Sequence, residues 1–146
     1  MVSVHSVPGS VSAEVTIAVP PERVWRAITT TEEQARFIPG YQGGQFGSRV
    51  GDAIEFVGSG IAGGTYTMRG QITEFEPPRR LAFTWNWLGS ALPETVISFT
   101  LEAVEGGTRL SFLQSAFDAQ FEQARAIHEA QFGAAMERLK PYLEGE

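Results

Sequence analysis

Cysteine is absent from this chain of 146 residues, which excludes a disulfide, a thiolate nucleophile and a zinc–thiolate site. The absence fits a reducing compartment, and a cytoplasmic protein is expected. Other chemistry-bearing residues are nearly as scarce. His5 and His128 are the only histidines, and Asp52 and Asp118 the only aspartates, so a transition-metal site is hard to assemble and neither a metal nor a cofactor is expected. No apolar run approaches the roughly 20 residues of a membrane helix, and Met1 to Ser10 lacks the basic-then-apolar order of a signal peptide. The expectation is a soluble, unprocessed protein that does not insert into membranes. Net charge is −6, with the arginines scattered among carboxylates, so phosphate backbones are repelled and nucleic acid is not an expected partner. Lys140 is the only lysine and Asn86 the only asparagine, a bias that points to a GC-rich bacterial genome.

What is present is a continuous pattern without linker, repeat or low-complexity tract. The length suits one domain over residues 1–146, with residues 1–10 as a flexible tail, and can bury roughly 68 to 70% of the unfolded surface. Val11, Ala13, Val15, Ile17 and Val19 alternate with other residues as a first strand that Pro20 and Pro21 end. Pro21 suits the first turn of a helix over Glu22 to Thr29, with Val24, Trp25 and Ile28 on one side. Thr31 and Gln34 have capping-box spacing for a second short helix towards Phe37, closed by Pro39 and Gly40. Glycines from Gly43 to Gly51 break up a hesitant strand. Clearer strands then start at Ile54 and Phe56 and at Tyr66, Met68 and Ile72.

Phe75 to Trp87 is the most informative stretch. After a prolyl corner at Pro77 and Pro78, Leu81, Phe83, Trp85 and Trp87 recur at every second position, so a strand points all four at one face. Such a row either fills a core or walls a cavity for an apolar ligand. Two more strands follow, Thr95 to Glu102 with Ile97, Phe99 and Leu101 on one face, and Thr108 to Ser115 with Leu110, Phe112 and Gln114, joined by a hairpin at Gly106 and Gly107. From Asp118, a candidate N-cap, Phe121, Ala124, His128, Phe132, Ala135, Met136 and Leu139 fall at helical spacing. That helix should stop at or near Pro141, which lacks the N–H and clashes with the preceding turn, leaving Tyr142 and Leu143 as a distorted end or tail. An antiparallel sheet of six or seven strands with one apolar face needs a cover, and the long helix supplies it, so the expected class is α+β. Gly133 within that helix points to close sheet contact or to space left for something else.

Three motifs in order carry a family resemblance: Pro20-Pro21-Glu22-Arg23-Val24-Trp25-Arg26-Ala27-Ile28, then Gly70 to Trp85 with its Glu76-Pro77-Pro78-Arg79-Arg80 corner, then Gly106-Gly107-Thr108-Arg109-Leu110. Over about residues 12 to 143 the chain resembles the SRPBCC, or START-like, superfamily, and within it the heat-shock protein 90 ATPase activator homologue-like branch, related to polyketide cyclases. The resemblance implies a helix-grip fold: a curved antiparallel sheet around a long C-terminal helix, two short helices after the first strand, and a deep hydrophobic cavity between sheet and helix. It supplies no universal catalytic set. Where the family often has Gly then Trp in the final helix, this chain has Gln131, Phe132 and Gly133, so Phe132 can stand where the tryptophan would. The residues expected to line the cavity are Phe56, Tyr66, Met68, Phe83, Trp85, Trp87, Ile97, Phe99, Phe112, Gln114, His128, Phe132 and Met136.

Chemical motifs compete weakly with this reading. Gly58-Ser59-Gly60-Ile61-Ala62-Gly63 matches a dinucleotide fingerprint, but Thr65 to Met68 alternate as a strand where the fingerprint needs a helix, so a hairpin, able to gate the cavity, is the better reading. His128 can be a general acid or base, a polar ligand anchor or a structural residue, and spacing places no carboxylate beside it. Gln114 interrupts an apolar face, so it either meets a neighbour such as His128 or lines a wet pocket. Glu94, beside Pro93, reads as rim charge. Three functional classes follow: a binding protein for a small hydrophobic or aromatic molecule, a protein-interaction module with a chaperone partner, and a cyclase-type or aromatase-type enzyme using His128 or a tyrosine. The first leads, because no positioned acid–base pair supports catalysis. Homodimerisation stays open.

Overall fold

The computed structural model describes residues 2–7, 10–59, 64–87, 94–115 and 122–145. Strand β1 (Val2–Val7) and β2 (Ser10–Ile17) lead into helices α1 (Pro21–Thr29) and α2 (Thr31–Phe37). Six strands follow: β3 (Tyr41–Phe46), β4 (Ala53–Ser59), β5 (Thr65–Glu76), β6 (Arg80–Trp87), β7 (Thr95–Val104) and β8 (Gly107–Ser115). Helix α3 (Glu122–Glu144) ends the fold. The strands form one antiparallel sheet in the order β1-β2-β8-β7-β6-β5-β4-β3. The sheet curls over α3, giving the α+β helix-grip architecture.

Alternation decides which face is buried. Val11, Ala13, Val15 and Ile17 of β2, Ile97, Phe99 and Leu101 of β7, and Leu110 and Phe112 of β8 all turn inward and join one core with Ala135, Met136, Leu139 and Leu143 of α3. Between Ile72 and Glu74 the register of β5 shifts against β6. The extra residue switches the inward parity, so Met68 and Ile72 face the core ahead of it, while Phe75 beyond it reaches Trp25 of α1 edge-to-face at 5.2 Å. The β5–β6 corner contains a cis Pro77–Pro78 bond and is closed by the Arg79 amide donating to the Glu76 carbonyl at 2.7 Å. At the β7–β8 hairpin Gly106 takes φ +82°, a left-handed conformation that glycine adopts without strain.

Four expectations change. Val2–Val7 is a paired strand and not a tail, because the outer edge of β2 offers unpaired backbone groups that an extended segment can satisfy, from Val2 opposite Val15 to Val7 opposite Ser10. It brings the sheet to eight strands among the described residues, beyond the six or seven expected. The capping box of α2 does not form: the N-cap is Thr30, without a side-chain cap bond, and the buried Gln34 amide donates to the Ile28 carbonyl at 2.8 Å. Helix α3 does not stop at Pro141 but runs through it to Glu144. The prolyl defect is outweighed by packing, since Leu143 is buried in the core and the Tyr142 ring stacks on Phe37 at 6.3 Å. The Asp118 N-cap and the loop residues Gly60 to Gly63 lie outside the described residues.

Candidate functional site

A cavity of about 290 Å³ lies inside the curve of the sheet. Its sheet wall comes from inward positions on four neighbouring strands: Ile54 and Phe56 of β4, Tyr66 and Met68 of β5, Phe83 and Trp85 of β6, and Ile97 and Phe99 of β7. Ala130, Phe132, Ala134, Ala135 and Met136 of α3 face it, and the small alanines leave room that longer side chains would take. Ile28, Gln34, Phe37, Ile38 and Pro39 close a third side, with Phe46 of β3.

The sheet wall is a connected set of rings. Tyr66 lies 6.0 Å from Phe56, Phe56 lies 6.1 Å from Trp85, Trp85 packs edge-to-face on Phe83 at 5.5 Å, and Phe83 reaches Phe99 at 6.4 Å and Phe46 at 5.8 Å. Rings with few rotatable bonds, each held by a neighbour, make a stiff apolar wall. Gly58 allows part of that packing: a Cβ there would sit 2.9 Å from both Phe56 Cε1 and Tyr66 Oη.

Polar groups near the cavity are few. Gln34 turns its amide to the Ile28 carbonyl. Glu55 lies between the buried Ile54 and Phe56, so its side chain points to the opposite face, where it accepts from Arg69 Nε at 2.8 Å. The Tyr66 phenol is raised above its ordinary pKa by burial, which keeps it neutral at physiological pH. Behind Phe56, at 5.1 Å, burial likewise raises the phenol of Tyr41. Among the described residues no cluster of three His, Asp or Glu side chains could hold a metal ion.

An ionic cluster fixes the helical side of the cavity. Glu33 of α2 accepts from Arg23 of α1 at 2.6 Å, from Arg26 Nε at 3.1 Å and from the Tyr142 hydroxyl of α3 at 2.8 Å. Burial opposes ionisation of Glu33, but the Arg23 and Tyr142 hydrogen bonds and the Arg23 charge overcome it and hold the carboxyl below its usual range.

Of the expected lining residues, the structure brings Phe56, Tyr66, Met68, Phe83, Trp85, Ile97, Phe99, Phe132 and Met136 to the cavity. Phe112 and Gln114 do not line it. Phe112 is stacked on Phe132 at 4.4 Å and tilted on Phe99 at 5.4 Å, so it backs the wall. Gln114, fully buried, does not border the cavity but meets a neighbour, donating to Thr95 Oγ1 at 2.9 Å. The side chains of Trp87 and His128 lie outside the described residues. The expected set did not include the α1–α2 side, Phe46, Ile54, Glu55 or the alanines of α3. The available signal was the apolar trio Phe37, Ile38 and Pro39, where the helix runs out at Phe37 and Pro39 and Gly40 close it.

The profile of the family described as "Activator of Hsp90 ATPase homolog 1-like protein" matches residues 18–144. The chain belongs to that family. Membership places it in the SRPBCC superfamily, and the matched segment contains every described residue of the cavity. Solved structures agree on the fold. A protein of Rhodobacter sphaeroides is 22% identical with a TM-score of 0.86, covering 99% of this chain and 99% of that one. A Mesorhizobium loti protein is 27% identical with a TM-score of 0.78, covering 93% and 97%. CalU16 of Micromonospora echinospora is 22% identical with a TM-score of 0.71, covering 99% and 83%. No curated protein matches this sequence.

Proposed function

We propose that this activator-homologue family member binds a small hydrophobic or aromatic molecule between the sheet and α3. The observation that carries the reading is the aromatic-walled cavity of about 290 Å³, at the small end of the roughly 300–1,000 Å³ range of ligand sites. Its energetic weight is considerable. At about 24 cal/mol per Å³, leaving such a volume unfilled forgoes on the order of 7 kcal/mol of packing, comparable with the roughly 5–15 kcal/mol by which a whole domain is stable. Water is a poor filler because the walls give it few hydrogen-bond partners. An apolar ligand recovers dispersion and sheds unfavourable hydration.

The alternatives have less behind them. A chaperone-binding module needs an apolar docking patch, and the large apolar side chains exposed among the described residues are Val50, Val96 and Leu113, with Val96 and Leu113 on neighbouring strands of the outer sheet face. A cyclase-type enzyme needs an acid–base pair, and the titratable lining residues are Tyr66, kept neutral, and Glu55, turned away to Arg69.

The test is native mass spectrometry of protein purified without added ligand, followed by titration with a panel of apolar and aromatic compounds read by tryptophan fluorescence. A co-purified mass, or saturable quenching lost in Trp85→Ala, is expected. Absence of both overturns the reading.

A further inference from the structure

Helix α3 packs on β1 and β2, at one end of the sheet, and on α2. The opposite end is β3, and among the described residues no strand continues the wall beyond it. Exposure along the cavity lining follows the same division. Met68, Ile97, Ala135 and Met136 are buried. Ala130 is exposed, while Ala134 of α3, Ile38 and Pro39 of the α2–β3 turn and Tyr66 of β5 are half-buried, so the lining reaches solvent at these five residues.

The two groups differ in kind but are both held in place. Ala130 and Ala134 stand one turn apart on the same side of α3, and each contributes a single methyl group. Across from them, the Ile38 amide donates to the Gln34 carbonyl at 2.9 Å, and the next turn is made by Gly40 at φ +75°, a left-handed conformation suited to glycine. The Gly40 carbonyl accepts from the Ser59 amide at 2.9 Å, which ties the turn to the end of β4, where Gly58 pairs with Tyr66. Neither side carries a long flexible chain at its edge. The gap between them is therefore set by backbone placement and by the size of the alanine side chains.

We propose that the cavity is entered between Ala130 and Ala134 of α3 and the Ile38–Pro39 turn, and that Ala134 limits the width of the molecule admitted. The inference rests on the ligand-binding reading above and deepens it. Methyl groups on one side and a tied turn on the other let a rigid ring system pass without a lid having to open, whereas a longer side chain at residue 134 would stand in its way. Selection by size then acts at the entrance, ahead of the aromatic wall.

The chain has no cysteine, so Ala134→Cys carries its only thiol and can be modified after folding. The reagent is 2-sulfonatoethyl methanethiosulfonate, whose charged adduct is kept out of an apolar cavity and is removed by dithiothreitol. The probe is N-phenyl-1-naphthylamine, followed by stopped-flow fluorescence. The adduct should slow association and dissociation alike by about tenfold or more, as an obstructed path does with the bound state unchanged, and dithiothreitol should restore both rates. The same adduct on Val50→Cys, at an exposed residue outside the cavity lining, should change neither. Width is tested separately with Ala134→Leu, which should slow 1-aminopyrene more than the narrower 1-naphthylamine. Rates indifferent to the adduct, equal slowing from Val50→Cys, affinity lost at an unchanged association rate, or equal effects of Ala134→Leu on both amines overturns this inference while leaving the cavity reading intact. If the wild type binds none of the three probes, the cavity reading fails and takes the inference with it.

Discussion

The Tyr142 hydroxyl donates to Glu33 Oε1 at 2.8 Å, tying the last turn of α3 to the helix whose Gln34 and Phe37 wall the cavity. Glu33 also takes Arg23 and Arg26, so one carboxylate joins three helices. Its side chain is 14% exposed, which limits solvent screening of the cluster.

The Glu33 carboxyl is held below its usual value in the folded chain, so its contribution to stability is fully present above the ordinary carboxylate pKa and is lost as pH falls through the depressed folded value. Glu33→Gln should cost about 1.5–3 kcal/mol at neutral pH, the range for hydrogen bonds to a charged group. It should also flatten the acid limb of a plot of melting temperature against pH. A variant that melts like the wild type at pH 7 and at pH 3 would show that the cluster contributes nothing.

Trp85 and Phe112 should part company on truncation. Phe112 is packed on both sides by Phe99 and Phe132, so Phe112→Ala should cost the full 3–5 kcal/mol or so of a buried aromatic. Trp85 has Phe83 and Phe56 at its edges but borders the cavity, so Trp85→Ala should cost less and should weaken binding of aromatic ligands. Urea denaturation of both variants checks the order. Equal losses would mean that the cavity is filled by core side chains in solution.

The inward faces of β2 and β7 are readable because those strands have a period of two and one buried side, as Val11 to Ile17 and Ile97 to Leu101 show. Periodicity assigns a face, however, and not what lies across from it. Phe99 and Phe112 look alike along the sequence, but Phe132 covers one and leaves the other on the cavity. Phe37 and Ile38 were legible as apolar, yet their place in the wall depends on how α2 docks against α3, through a contact between Glu33 and Tyr142 that spans 109 residues. The pairing of Val2–Val7 has no clear sequence signal, because its alternation is weak and its partner is an edge, which any extended segment can satisfy.

Gly58→Ala should reshape the cavity. The new methyl would meet Phe56 and Tyr66 at 2.9 Å, and both contacts are with movable ring ends, so the rings should shift with little disturbance of the backbone. A stability loss of about 1–3 kcal/mol, as for modest overpacking, should accompany an altered near-ultraviolet circular dichroism signal and a changed preference among aromatic ligands. An unchanged ligand profile would argue that Tyr66 and Phe56 do not set the cavity's shape.

The end of α3 offers the sharpest test of local rule against packing. Pro141 lies inside the helix and is exposed, so it supplies no N–H to the preceding turn and buries little of its own surface. The helix continues because Leu143, 1% exposed, enters the core, and because the Gly145 amide donates back to the Pro141 carbonyl at 2.9 Å. Leu143→Ala should therefore cost about 2–5 kcal/mol, as for a core leucine, although the residue stands three from the end of the chain. Pro141→Ala should act in the opposite direction. It restores a donor to the helix at a site where no packing is lost, and a gain of about 1–3 kcal/mol is expected, reduced by the greater freedom of alanine in the unfolded chain. Thermal melts of the two single variants check both signs. If Leu143→Ala melted like the wild type, the last turn would be frayed in solution and the Tyr142–Glu33 contact would frame the cavity only part of the time.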